Sequence, residues 1–189
     1  IRRSPVIAEI AVELRAFVLH NTAMSTRYSI RPGCPYPLGY KIYDDGVNFS
    51  ISSRHATQVE LCLYQKADSK KPFQVIELQR NFNHTFFSWH VFVENLPAGV
   101  WYGWRIDGPS LTRESGLRFD KDKLLLDPWA RAVSSKLWNR FKARQPGDNS
   151  QQAMRAMVAD NRDYDWEGDK PLAIRSEKAI IYELHVGGF

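Results

Sequence analysis

Four carboxylates stand two residues apart in DYDWEGDKPL: Asp163, Asp165, Glu167 and Asp169, interleaved with Tyr164 and Trp166. Glu183 follows in IIYELHVGGF. Paired carboxylates can divide acid and base work, and clustered ones can hold a cation. Both tasks need converging or buried groups, and the stretch from Asp163 to Leu172 reads as a polar, aromatic loop. Neither a reacting dyad nor a calcium loop is expected there. Glu183 reads as a structural residue of a strand. Stacking is the second chemistry on offer. Aromatic residues make up 13% of the chain, with six Trp, eight Tyr and ten Phe, enough either to fill a β core or to hold flat ligands.

Charge and thiols exclude other classes. The formal net charge is +5, which raises the question of nucleic acid. Lys and Arg are nevertheless mixed with Asp and Glu along most of the chain. The concentrated stretch is ARAVSSKLWNRFKAR, Ala130 to Arg144. There Lys136, Arg140 and Arg144 recur every four residues and would share one helical face. A solvated helix face is the plain reading, and an anion or nucleic-acid contact is the sharper one. Cys34 and Cys62 form no CxxC pair and the histidines are scattered, so neither a metal site nor a cofactor is expected. Cys62 lies in an apolar strand pattern and reads as a buried thiol. A reducing, cytoplasmic setting is the simpler expectation.

The elements that must position these groups are β from Pro35 onward. GVNFSISS (Gly46 to Ser53) alternates, with Val47, Phe49 and Ile51 on one side, and the DDG turn precedes it. VELCLY (Val59 to Tyr64) alternates through Val59, Leu61 and Leu63, and FQVIELQ (Phe73 to Gln79) is a further strand. In FFSWHVFVENL, Phe87, Trp89, Val91 and Val93 share a face. PAG (Pro97 to Gly99) reads as a hairpin loop into VWYGWRIDGP, where Val100, Tyr102, Trp104 and Ile106 share a face. Short strands at regular spacing with turns between them predict an antiparallel, immunoglobulin-like sandwich. After Pro109 the texture turns polar. Asp127–Pro128 then predicts a helix start, with Asp as cap and Pro at the first position.

Alternation also sorts the tryptophans. Trp89 and Trp104 fall on apolar faces, which favours the core. Trp101 shares its face with Gly103, Arg105 and Asp107 and is the better exposed platform. The segment Val6 to His20 has helical periodicity, but Glu9, Glu13 and Arg15 interrupt it, so no membrane span is expected. Met24 is the expected natural start, which makes residues 1–27 an extension.

Several stretches occur together in one order: YPLG, GVNFSISS, VELCLY, YGWRIDGP, GLRFDKDKLLLDPWARAV, QPGD, YDWEGDKPL and IIYELHVGGF. From about Tyr28 to Phe189 the chain resembles the N-terminal part of bacterial glycogen debranching enzymes of the isoamylase type, in glycoside hydrolase family 13. The resemblance implies a family 48 carbohydrate-binding module at 28–110, a linking segment at 111–177 with a short helix, and the first strand of a (β/α)8 catalytic barrel at 178–189. Seven further strands would follow in such an enzyme. The catalytic carboxylates come from those later strands, so no catalytic residue is expected in this chain. The acidic segment then reads as a linker packed on the barrel.

The implied partners are α-glucan (glycogen, amylopectin) and the barrel itself. Sugars stack on flat rings while charged groups bond their hydroxyls, which makes Trp101 and Arg105 the substrate-binding candidates, with Trp89 and Trp104 behind them. Three functions stay open at this point. One is the front part of a debranching hydrolase, inactive as it stands. The second is a stand-alone glucan-binding or regulatory module. The third is a basic sandwich that binds nucleic acid or protein through the Ala130 to Arg144 helix.

Overall fold

The computed structural model describes residues 27–110, 112–162 and 164–188. The expected helix from Val6 to His20 and the start at Met24 lie outside them. The described chain is mostly β, built as two antiparallel sheets packed face to face.

In the first sheet, β3 (Gly46–Ser52) and β7 (Ser88–Glu94) pair along their whole length, from Gly46 opposite Glu94 to Ser52 opposite Ser88. β2 (Gly39–Tyr43) joins β3 through the expected Asp44–Asp45 turn. The far edge of β7 is shared by β1 (Ile30–Pro32) and by β6 (His84–Thr85), which follows the single-turn helix α1 (Arg80–Asn83). The second sheet runs β5 (Gln74–Leu78), β4 (Gln58–Tyr64), β8 (Trp101–Asp107), β10 (Arg155–Met157) and β9 (Val133–Ser134).

The core follows from period-two alternation. Val47, Phe49, Trp89, Val91 and Val93 from one sheet meet Val59, Leu61, Leu63, Tyr102 and Trp104 from the other, all fully buried. Phe49 stands edge-on to Tyr102 at 5.0 Å and to Trp104 at 6.5 Å, knitting the two layers. Such edge-to-face pairs add roughly 1 kcal/mol each beyond their buried area.

Four expectations change. The PAG loop is not a hairpin, because β7 and β8 belong to different sheets and residues 95–100 cross between them. Leu96 and Val100 are buried on the way, and an inter-sheet crossing of this length looks like a hairpin loop when only local sequence is read. The helix expected over Ala130 to Arg144 is reduced to one turn, α2 (Arg140–Ala143), capped by Asn139 Oδ1 accepting from Lys142 N at 2.9 Å. Residues 133–134 pair with β10 instead, so tertiary pairing outweighs the four-residue recurrence. Lys136, Arg140 and Arg144 therefore share no helical face.

Asp127–Pro128 starts no helix either. Asp127 is buried in a turn, where it accepts from Tyr102 Oη at 2.9 Å, Trp104 Nε1 at 3.3 Å and Trp129 N at 2.8 Å. Burial and the Asp127 carboxylate together push the Tyr102 phenol well above its ordinary range. Finally, residues 179–185 form no strand among the described residues. Ile180 and Ile181 are almost fully exposed, between 3-10 turns at Ser176–Lys178 and Val186–Gly188.

Residue 110 is not where the sandwich stops. β9 and β10 lie beyond it and extend the second sheet, and Leu125 bridges to Trp104 through N–H···O bonds of 2.9 and 2.7 Å. Both cysteines are free, Cys34 exposed and Cys62 buried. Among the described residues no helix is long and apolar enough to cross a membrane.

Candidate functional site

Strand β8 carries the groups singled out in the sequence. Its inward side chains, Tyr102, Trp104 and Ile106, belong to the core. Its outward positions are Trp101, Gly103, Arg105 and Asp107. They would make one continuous open face if nothing lay over them.

Residues 120–126 and 149–153 do lie over part of it. Leu124 sits directly on Gly103, where a Cβ would come within 2.8 Å of Leu124 Cδ1. Leu124 is pinned by Asn149, whose Oδ1 accepts from Leu124 N at 2.7 Å and whose Nδ2 donates to Leu124 O at 3.3 Å. A second small core forms there from Cys62, Tyr64, Leu124 and Ala153, with Trp101 packed against it and partly buried. Leu124 thus divides the face, with Trp101 on one side and Arg105 on the other.

On the Arg105 side is a shallow polar cleft of about 280 Å³ lined by Gln58, Glu60, Arg105, Asp107, Lys121 and Asp122. Arg105 is opposite Glu60 in the strand register and reaches Asp148 at 3.5 Å, with a quarter of its side chain exposed. Carboxylates, an amide, an ammonium and a guanidinium in one cleft offer both donors and acceptors, which suits a polyhydroxylated ligand. On the covering segment itself, a larger and mainly apolar cleft of about 580 Å³ is formed around Trp138, Leu124, Leu126 and Met154, with Arg140 and Arg144 at its wall. Trp138 is 44% exposed. The other two tryptophan candidates cannot present a ring. Trp89 and Trp104 are both fully buried, as their alternation favours.

Two features of this region were missed in the sequence pattern. The first is Arg155 of β10, a fully buried arginine. Its guanidinium stacks 3.7 Å above the Tyr64 ring and donates to Lys66 O at 3.1 Å, Ser69 O at 2.8 Å and Ser150 O at 3.1 Å. It ties the loop after β4 to the loop before β10. Burial lowers its pKa, and the three carbonyls and the ring replace lost water. Nothing in the triplet RAM marks it. The second is Leu124 as a cover. Gly103 inside a strand was a usable signal, since such a glycine marks close approach by another chain segment.

Burial also sets the acidity of the covered groups. It pushes the Cys62 thiol up to about 11 and the Tyr64 phenol up to about 12. Among the described residues no group of three or more His, Cys, Asp or Glu could hold a metal ion. Tyr164 and Trp166 pack edge-on at 4.9 Å in an exposed loop, where Asp165 Oδ1 accepts from Glu167 N. Asp163 lies outside the described residues.

Comparison with known proteins completes the picture. Residues 37–130 match carbohydrate-binding module 48, the isoamylase N-terminal domain. Isoamylase 1, chloroplastic, of Arabidopsis thaliana is 36% identical over 175 residues, covering 91% of this chain and 22% of that protein. The glycogen debranching enzyme of Serratia proteamaculans is 34% identical over 165 residues, covering 84% of this chain and 24% of that one. The pullulanase structure from Bacillus acidopullulyticus aligns with a TM-score of 0.49 at 20% identity, over 78% of this chain and 15% of that chain. The chain thus spans about a quarter or less of the length of the curated relatives it matches. Through residues 37–130 it belongs to the carbohydrate-binding module 48 family, the isoamylase N-terminal domain.

Proposed function

We propose that this chain recognises α-glucan, glycogen or amylopectin, as the front module of an isoamylase-type α-1,6-glucan debranching hydrolase, and does not itself cleave the polymer. The observation that carries this reading is the family match over residues 37–130. Trp101 is the aromatic platform and Arg105 the hydroxyl-bonding group, acting on either side of Leu124, and Trp138 offers a further half-exposed ring on the covering segment. The nucleic-acid reading loses its support with the long basic helix.

The same reading assigns the layout. Residues 1–27 are an extension, the sandwich module carries the glucan contacts, and the segment from Asp163 onward packs on a catalytic barrel whose first strand is 178–189. The exposure of Trp166, Ile180, Ile181 and Tyr182 supports a partner surface there. Retaining hydrolysis needs two carboxyl groups about 5 to 5.5 Å apart, and Glu183 lies in an exposed, irregular stretch. Two free thiols suit a reducing compartment, the cytoplasm.

The test is native electrophoresis with and without glycogen, alongside an assay for new reducing ends. Retardation by glycogen, reduced in Trp101→Ala, with no reducing ends released, is expected. One stacked ring is worth about 1 kcal/mol, so affinity should be weak, on the order of millimolar. Migration unaffected by glycogen would overturn the reading.

A further inference from the structure

The β6–β7 hairpin closes on two residues, Phe86 and Phe87, between the paired Thr85 and Ser88. Phe86 has a φ of 54°, and Phe87 is not in the left-handed region. A positive φ at the first central residue alone is the pattern of a type II′ turn, a position that glycine ordinarily fills. A bulky L-residue there is strained, and its ring does not serve the core: Phe86 is 87% exposed. Phe87 beside it is 48% exposed, and Phe82 in α1 is 62% exposed.

The turn is firmly seated. Phe87 O accepts from Ser53 N at 2.7 Å, and the Arg54 guanidinium lies 5.2 Å from the Phe87 ring centre. Ser53 also lines a mainly apolar cleft of about 300 Å³ with Ile106, Phe119 and Leu125, where Arg118, Asp120 and Lys123 supply the polar groups. Open rings on a rigid turn therefore adjoin a cleft that holds a hydroxyl, a carboxylate and cationic donors.

Size decides what fits. At 87%, 48% and 62% exposure the three rings offer roughly 300 to 500 Å², less than the approximately 800 Å² per partner of a stable protein interface. One hexose needs only a ring face and a few hydrogen-bonding groups. We propose that this turn is a second α-glucan contact: Phe86 and Phe87 stack a glucose unit, and the Ser53–Asp120 cleft takes the hydroxyls of the next. This rests on the glucan reading above, but its rings stand on the first sheet's β6–β7 turn, at residues which that reading does not use.

The experiment compares the full chain with its Phe86→Gly and Phe86→Trp variants in native gels with graded glycogen, with a thermal midpoint and an elution volume for each. Phe86→Gly should weaken glycogen affinity about five-fold while its midpoint holds or rises, since glycine suits the turn. Phe86→Trp should bind at least as well as the parent. Equal retardation of parent and Phe86→Gly would overturn this contact and leave the glucan reading standing. A parent that glycogen does not retard would overturn both. A parent that elutes as a dimer, becoming monomeric in Phe86→Gly with glycogen affinity unchanged, would assign the rings to self-association and likewise overturn the proposal.

Discussion

Cys62 and Tyr64 point away from the sandwich core yet are fully buried, because Leu124 and Ala153 cover them. Both acids hold their protons more tightly in the folded chain than their ordinary values of 9.0 and 10.0 would allow. Above pH 9 the unfolded chain gives up protons that the folded chain keeps, so stability is complete below that point and falls as pH rises towards 11 and 12. The urea midpoint should therefore drop between pH 9 and 11, and drop less steeply in Cys62→Ala. A midpoint that stays flat over that range would mean the pair is not sealed from water. The core tryptophans at this scale were legible, because alternation alone put Trp89 and Trp104 on apolar faces. Arg155 was not, because its partners are backbone carbonyls far away in sequence.

At the scale of elements, β3, β4, β5, β7 and β8 could be read directly, since one face of each is buried and period two is unambiguous. Connections were harder. The crossing at 95–100 is locally indistinguishable from a hairpin, and the DPWA turn carries the signals of a helix start while Asp127 is used as a buried acceptor. The cover over β8 shows how an unread element changes a site: Trp101 and Arg105 share a strand face as expected, but Leu124 separates them. Gly103 is what allows that approach. Gly103→Val should lift residues 120–126, lower stability by about 1 to 3 kcal/mol and make tryptophan fluorescence more accessible to acrylamide. An unchanged midpoint and unchanged quenching would show that the cover is loosely held and that Gly103 has no packing role.

At the scale of the whole molecule, the two sheets and their cover carry shallow clefts among the described residues, each open enough for a chain of sugars rather than an enclosed small molecule. The resemblance read from the motifs agrees with the family match over residues 37–130. No single strand carries that information, because a sandwich hosts many functions. In the proposed function, α-glucan meets the outside of this sandwich. Its most direct test is a maltoheptaose titration of the isotope-labelled chain, following the six tryptophan indole signals and the amides of the β6–β7 turn. Saturable shifts are expected for Trp101 and Trp138 and for residues 86–88, while the Trp89 and Trp104 indoles stay in place. A spectrum unmoved by maltoheptaose, or shifts confined to Trp89 and Trp104, would contradict it.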